Sequence, residues 1–236
     1  MAVRVVFTDR RGGVSEPPLD TLNLASHVGD TNDAVRDNRA RVAAQAGVPA
    51  DRLVVLAAVS GGPVATVDGS GPQEVTGVEA IVTAEPDLAV GVIAADCVPV
   101  LLADDTAGAI GVAHAGRRGV EARIVTDTIE RLRQLGAQPG RLRAWVGPAI
   151  CGRCYEVGDD VAAQTVAVAP EAASTTSWGT TALDLPAAVL AELEHCGVAD
   201  VHVEHRCTRE DPTLYSYRRD GRTGRQASVI VRTAQD

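Results

Sequence analysis

The sequence predicts a single domain of the α+β (mixed α/β) class: a mixed, largely antiparallel sheet with helices packed around it. Three observations carry this. Short apolar runs bounded by Gly, Pro and Asp recur along all 236 residues, the pattern of strands joined by tight turns. Few helical stretches come between them, which favours hairpins over the strand–helix alternation of a doubly wound parallel sheet. No repeat, low-complexity tract or linker interrupts residues 1–236, so they read as one domain.

Residues 3–7 (Val-Arg-Val-Val-Phe) form a first strand, which enters a Gly- and Pro-rich loop over 8–18. The stretch 22–30 is too polar and broken for a core element. From Thr31 the spacing turns helical, with Ala34, Val35, Val42, Ala43 and Ala46 at the apolar positions. Asp30 or Thr31 is the N-cap, and Gly47 with Pro49 closes the helix. Strands follow at 53–59, 64–67, 80–83 and 88–94, the first two separated by the 60–63 turn.

The stretch 94–119 is the centre of the chain. Apolar runs 98–103 and 109–113 flank Asp104-Asp-Thr-Ala-Gly108, a strong turn signal, so the segment reads as a hairpin. Its ends bring the thiol of Cys97 and the imidazole of His114 together. Such a pair can ligate a transition metal or serve in nucleophilic catalysis, and it can equally be a buried cysteine beside a hydrogen-bonded histidine. A long helix over 117–135 follows, with Val120, Ile124, Ile129 and Leu132 apolar and Gly136 just past its end. Then come a strand at 142–146, an irregular turn over 147–158, and helices at 159–167 and 185–196. Strands at 201–204, 216–218 and 228–231 complete the sequence, the last two joined by a turn at 219–224.

Composition excludes several function classes. The hydrophobic share of 45% and charged share of 22% are those of an ordinary globular domain. A net charge of −9 argues against a nucleic-acid-binding protein, which needs clustered positive charge. Every basic residue is Arg, so lysine chemistry is excluded and Arg is the side chain for anion contacts. No apolar run is long enough for a membrane span, and residues 1–8 do not read as a signal peptide. Five cysteines without an even framework read as reduced thiols of a cytoplasmic protein with no obligate protein partner.

Other motifs weigh less. Cys151-Gly-Arg-Cys154 is a single CxxC without the second pair that a structural zinc site needs, and it sits outside a thioredoxin-like helix start, so packing is its default reading. His205-Arg206-Cys207, a single His-x-Cys, is weak evidence for a ligand pair. Arg218, Arg219, Arg222 and Arg225 cluster on the last hairpin and read as a solvated turn slightly more readily than as an anion-binding group. His27 is either a site residue or a loop anchor. No nucleotide-binding glycine motif is present.

With those residues in place, the chain resembles the polyphenol oxidase/laccase-domain (YfiH-like) family. The resemblance is carried by Arg11-Gly-Gly-Val-Ser15, Leu22-Asn23-Leu24 with His27-Val-Gly-Asp30, Asn38-Arg39, Ala95-Asp-Cys-Val-Pro-Val-Leu-Leu102, His114-Ala-Gly116 with Arg118-Gly119, Gly147-Pro-Ala-Ile150, Cys154-Tyr-Glu-Val157 and Ser216-Tyr-Arg-Arg219. It implies a fold like that of bacterial deamidating toxins, and a purine nucleoside phosphorylase with adenosine deaminase and methylthioadenosine phosphorylase side activities. It also implies a zinc site made by the Cys of Asp-Cys, the His of His-Ala-Gly and the His of a Gln-Val-His-Gly motif. Cys97 and His114 match the first two. At the third position stands Ser60, a poor substitute for imidazole.

Three expectations follow. One is family chemistry on purine nucleosides and phosphate, weakened by Ser60, with zinc weak or absent unless a residue such as His27 fills in. Asn23, His27, Arg39, Ser60 and Arg118 are then the substrate-contacting candidates, with Arg39 and Arg118 for phosphate. The second is a metal-independent Cys97/His114 hydrolase or amidase, which fits the peptidoglycan-editing role implied for some relatives. The third is a binding protein with a degraded site. Copper-type phenol oxidation is not expected, because multicopper centres need many histidines and the chain has five.

Overall fold

In the computed structural model, which describes residues 2–58 and 61–233, the chain builds two stacked β-sheets with helices on both outer faces. In chain order the elements are β1 (Ala2–Phe7), α1 (Asn32–Ala46), β2 (Leu53–Leu56), β3 (Val64–Thr66), β4 (Glu74–Val75), β5 (Ala80–Thr83), β6 (Ala89–Ala94), β7 (Val98–Asp104) and β8 (Ala109–Ala115). They continue with α2 (Arg117–Glu121), α3 (Ile124–Gln134), β9 (Arg143–Val146), α4 (Asp159–Val168), β10 (Ala173–Thr175), β11 (Thr181–Leu183), α5 (Leu185–His195), β12 (Asp200–Val203), α6 (Tyr217–Asp220) and β13 (Gln226–Thr233).

One sheet has the order β1-β13-β6-β2-β4 and the other β12-β9-β7-β8-β5-β3. In the first, β13 is antiparallel to both neighbours, while β2 runs parallel to β6 and β4. In the second, the β9-β7-β8-β5 centre is antiparallel and both edge pairs are parallel. The expected mixed sheet is therefore two large sheets, with a separate antiparallel β10-β11 pair, and has more parallel pairing than the hairpin signals implied. The reason is that strands buried on both faces read as continuous apolar runs, and such runs do not reveal their partner's direction.

Side-chain alternation sets the layers. Along β7, Val98, Val100 and Leu102 face the helices, while Leu101 and Ala103 face the other sheet. The inter-sheet layer is filled by Val54, Leu56, Val90, Val92 and Ile230 from one side and Ile81, Leu101, Ile110 and Val112 from the other. Helix α1 covers the first sheet through Val42, Ala43 and Ala46, joined by the loop residues Leu22 and Leu24, which are core residues although their stretch is polar. Helices α2, α3, α4 and α5 cover the second sheet with Val120, Val125, Ile129, Leu132, Ala162, Val189 and Leu193.

Thr31 caps α1 by accepting from Ala34 N, and Gly47 closes it in the left-handed conformation at φ 83°, both as the sequence implies. Two helical expectations change. The predicted 117–135 helix is broken at Arg123, which is left-handed at φ 58°, giving α2 and α3. Residues 216–218 are not a strand: the Ser216 side chain accepts from Arg219 N and starts the short helix α6. Local hydrogen bonding by Ser overrides the alternation of the following residues. Among the described residues, no helix is long and apolar enough to cross a membrane.

Candidate active site

The site grows from the paired ends of β7 and β8. Val98 is opposite Ala115 and Pro99 opposite His114, and one further step of that register sets Cys97 opposite Gly116. A Cβ built on Gly116 would stand 3.1 Å from Cys97 Sγ and 3.2 Å from His114 Cε1. The glycine thus leaves the room in which thiol and imidazole meet.

Cys97 is aimed by the residue before it. Asp96 is buried and holds φ at 91°, a conformation that Asp tolerates better than most side chains. Its carbonyl accepts from Ile150 N at 2.9 Å. Its carboxylate accepts from Thr208 Oγ1 at 2.6 Å and from Arg218 N at 2.7 Å. Backbone strain of this kind costs about 1–3 kcal/mol and persists only where surrounding contacts over-determine it, as these three do.

His114 is oriented from behind. Its Nδ1 lies 3.4 Å from Oε1 of Glu79, a carboxylate with no exposed side-chain surface. The other Glu79 oxygen accepts from Gly61 N, and the Glu79 carbonyl accepts from His114 N at 3.0 Å. With Nδ1–H turned to Glu79, Nε2 is the ring nitrogen left for the Cys97 sulfur, the second hydrogen-bond partner of the imidazole. Burial pushes the imidazolium down, but the negative charges of Cys97 and Glu79 and the hydrogen bonds to both outweigh it and raise His114 to about 10. His114 is therefore cationic at neutral pH.

A cavity of about 260 Å³ opens onto this pair, walled by His27, Ala58, Ile93, Ala94, Ala95, Tyr217 and Arg225. Arg225 is its cation. The Arg225 backbone N–H donates to Asn23 Oδ1 at 3.0 Å, and Nη1 donates to the carbonyls of Thr223 and Gly224 at 2.8 and 3.0 Å. Among the described residues this leaves Nε and Nη2 for a ligand. Burial pushes the guanidinium below its usual value without removing its charge. His27 is lowered by burial and by the Arg225 charge and is neutral. The Tyr217 ring is 58% exposed and stands at the mouth, with the Arg225 guanidinium 6.0 Å from its centroid.

The other sequence candidates fall elsewhere. Asn23 is fully buried; its amide donates to Ala25 O and to Asp30, and it reaches the cavity only by holding the Arg225 backbone. Arg39 does not line the cavity: it donates to Leu24 O at 3.0 and 2.8 Å and is ion-paired with Glu74. Arg118 is exposed on α2 and does not line the cavity. Ser60 lies outside the described residues. Sequence reasoning missed Glu79, Arg225 and Tyr217. Glu79 was legible only as a carboxylate leading an apolar strand, and Arg225 was grouped with a turn that faces solvent.

The zinc that the resemblance implies needs three protein donors at a catalytic centre. Among the described residues Cys97 and His114 supply two. Glu79 is turned to the back of the imidazole, and neither it nor His27 completes a metal-holding group with them. The described residues do not complete a zinc site here, and no step below runs through one. A group that could hold a metal ion lies elsewhere, at Cys151, Cys154, Cys207 and Glu210.

The whole chain has relatives. A sequence model described as multi-copper polyphenol oxidoreductase laccase matches residues 4–233. A Streptomyces coelicolor protein named purine nucleoside phosphorylase is 48% identical over 225 residues, 95% of this chain and 93% of that one. A Deinococcus radiodurans protein of the same name is 46% identical over 236 residues, covering 98% and 89%. The crystal structure of YlmD from Geobacillus stearothermophilus superposes with a TM-score of 0.90 at 32% identity, covering 98% of this chain and 92% of that one. Bacillus licheniformis YfiH gives 0.89 at 31% identity, covering the same shares. On sequence and architecture alike, the chain belongs to the multi-copper polyphenol oxidoreductase laccase family, the family of YfiH.

Proposed function

We propose that this protein is a purine nucleoside phosphorylase whose reaction takes place in the cavity between His114 and Arg225. The observation that carries the reading is the His114 imidazole, backed by buried Glu79 and beside Cys97, in one cavity with the Arg225 guanidinium. Phosphate binds Arg225 through Nε and Nη2. A phosphate oxygen attacks C1′ of the ribosyl group, the C1′–N9 bond breaks, and its electron pair passes to the purine. His114 donates its proton to the departing base, with Glu79 holding the ring in line. Tyr217 offers its face to the purine, and neutral His27 accepts from a ribose hydroxyl. The names of the relatives support the substrate class.

Deamination of adenosine takes second place on the same chemistry. It needs a base to activate water, whereas His114 carries a proton up to about pH 10. A different reading is favoured by one contact. Cys97, His114 and Glu79 stand in the order nucleophile, imidazolium partner and orienting carboxylate, which suits a metal-independent cysteine amidase that works from a thiolate–imidazolium pair.

The test is release of free base from inosine and adenosine, followed by chromatography with and without phosphate. Phosphate-dependent release with formation of ribose 1-phosphate, lost in Cys97→Ala, is the expected result. Base release that ignores phosphate, or survives intact in Cys97→Ala, overturns the proposal, and a covalent acyl adduct on Cys97 with an amide substrate selects the amidase. Ser60→His restores the residue that the resemblance expects. It should raise bound zinc, and unchanged zinc content sinks the idea that Ser60 marks the missing ligand position.

A further inference from the structure

The CxxC that lacked a partner in the sequence has one in space. Cys151-Gly152-Arg153-Cys154 and Cys207-Thr208-Arg209-Glu210 are two turns of the same form. Cys154 N donates to Cys151 O at 2.9 Å, and Glu210 N donates to Cys207 O at 3.2 Å, so each turn presents two donor side chains three residues apart. A parallel bridge between Ala149 and Cys207, with Thr208 N donating to Ala149 O at 3.0 Å, lays the turns side by side. Across the gap, Cys151 N donates to Cys207 Sγ at 3.3 Å, and Cys154 Sγ lies 3.5 Å from Glu210 Oε1. The three sulfurs and a carboxylate oxygen all lie within 4.8 Å of one another, and all three cysteines are free.

We propose that Cys151, Cys154, Cys207 and Glu210 form a structural zinc site. Tetrahedral zinc with Zn–S bonds of about 2.3 Å places its donor atoms ~3.8 Å apart, so side-chain rotation of an ångström or less closes the group. Paired turns with ligands at i and i+3 are the usual frame of a closed zinc site, and an N–H directed at a ligand sulfur is the usual support of one. Three thiolates and a carboxylate suit zinc better than calcium or magnesium, which take oxygen ligands. The sequence hid the site because the second pair is Cys-x-x-Glu, fifty-odd residues away. The ion would have a purpose in the fold. Ile150 and Thr208, one residue from Cys151 and Cys207, supply two of the three contacts that hold Asp96 in its strained conformation before Cys97. The zinc would pin both supports together.

Metal analysis of the purified full chain tests this, in a Cys97→Ala background that removes the cavity thiol from the count. About one zinc per chain is expected there, and cobalt(II) exchanged into it should give a thiolate-to-cobalt charge-transfer band. Adding Cys154→Ser should abolish both, whereas Glu210→Cys, which makes a four-cysteine site, should keep both. Should Cys154→Ser fail to fold, the exposed Glu210→Gln decides, with an expected loss of at least tenfold in zinc affinity by chelator competition. A Cys97→Ala protein without zinc or cobalt band, zinc retained in full by Cys154→Ser, affinity unchanged in Glu210→Gln, or a disulfide among these cysteines in the native protein would each overturn the proposal.

Discussion

The His114 imidazole stands with Nδ1 3.4 Å from the fully buried Glu79 carboxylate, so the ring cannot turn without taking its partner from Oε1 and leaving Glu79 only the Gly61 N–H. In the proposed reaction Glu79 would be a positioning residue, acting through the tautomer and charge of His114. Glu79→Gln should therefore lower kcat by about 10²-fold or more, as loss of an orienting carboxylate does elsewhere. It should also shift the alkaline limb of the pH–rate profile to lower pH, because an acid catalyst loses activity once its proton leaves. An unmoved limb in a folded Glu79→Gln protein would leave Glu79 with a purely structural role.

The same charge makes stability pH-dependent. The folded pKa of His114 is raised from 6.5 to about 10, so the folded state holds a proton that the unfolded chain releases earlier. The resulting stabilisation is complete below pH 6.5 and is lost as pH rises through about 10. Urea midpoints of wild type and His114→Asn should converge across that window. A constant gap would show that the imidazole is neutral when folded.

Three arginines separate phosphate binding from packing. Arg225→Ala should raise the KM for phosphate about tenfold or more, the worth of charge-assisted hydrogen bonds to an anion. Arg118→Ala should leave that KM unchanged, since the side chain is exposed outside the cavity. Arg39→Ala should lower the melting temperature through loss of the Glu74 pair and the Leu24 contacts, with phosphate affinity intact. Steady-state kinetics of the three variants sort these roles.

Gly116→Ala is the smallest change that tests the Cys97–His114 contact. The new methyl would lie 3.1 and 3.2 Å from the two side chains, closer than ordinary van der Waals contact, so both must shift by a few tenths of an ångström. The protein should fold, react more slowly with a thiol reagent at Cys97, and lose about tenfold or more in kcat. Wild-type kinetics would mean that the pair does not act as a unit.

The hairpin that brings Cys97 and His114 together was legible because an apolar run, a five-residue turn signal and a second apolar run are all local features. So were the Thr31 and Gly47 caps of α1. What escaped was contact between distant segments. Glu79 reaches His114 because β5 pairs with β8, and Arg225 enters the cavity because β13 inserts beside β6. Neither pairing leaves a trace in apolar spacing. Arg39 and Arg118 were drawn in by composition, as the only kind of cation available, but composition does not say which arginines already have partners.

The placement of β13 bears on the order in which the molecule assembles. It lies between β1 and β6, pairing Ala2 with Thr233 and Gln226 with Ala94. Until this strand docks, two stretches of sheet made from the first hundred residues have no edge in common, and Arg225 at its entrance has no cavity to complete. Sheet closure is thus a contact of very high sequence separation, the kind that makes folding slow. The Cys97 thiol can be exposed on a partly formed sandwich before Arg225 has arrived to complete the cavity. Competence is then an all-or-none property that appears with the final strand, and alkylation of Cys97 during refolding, timed against recovery of phosphate binding, would register the interval.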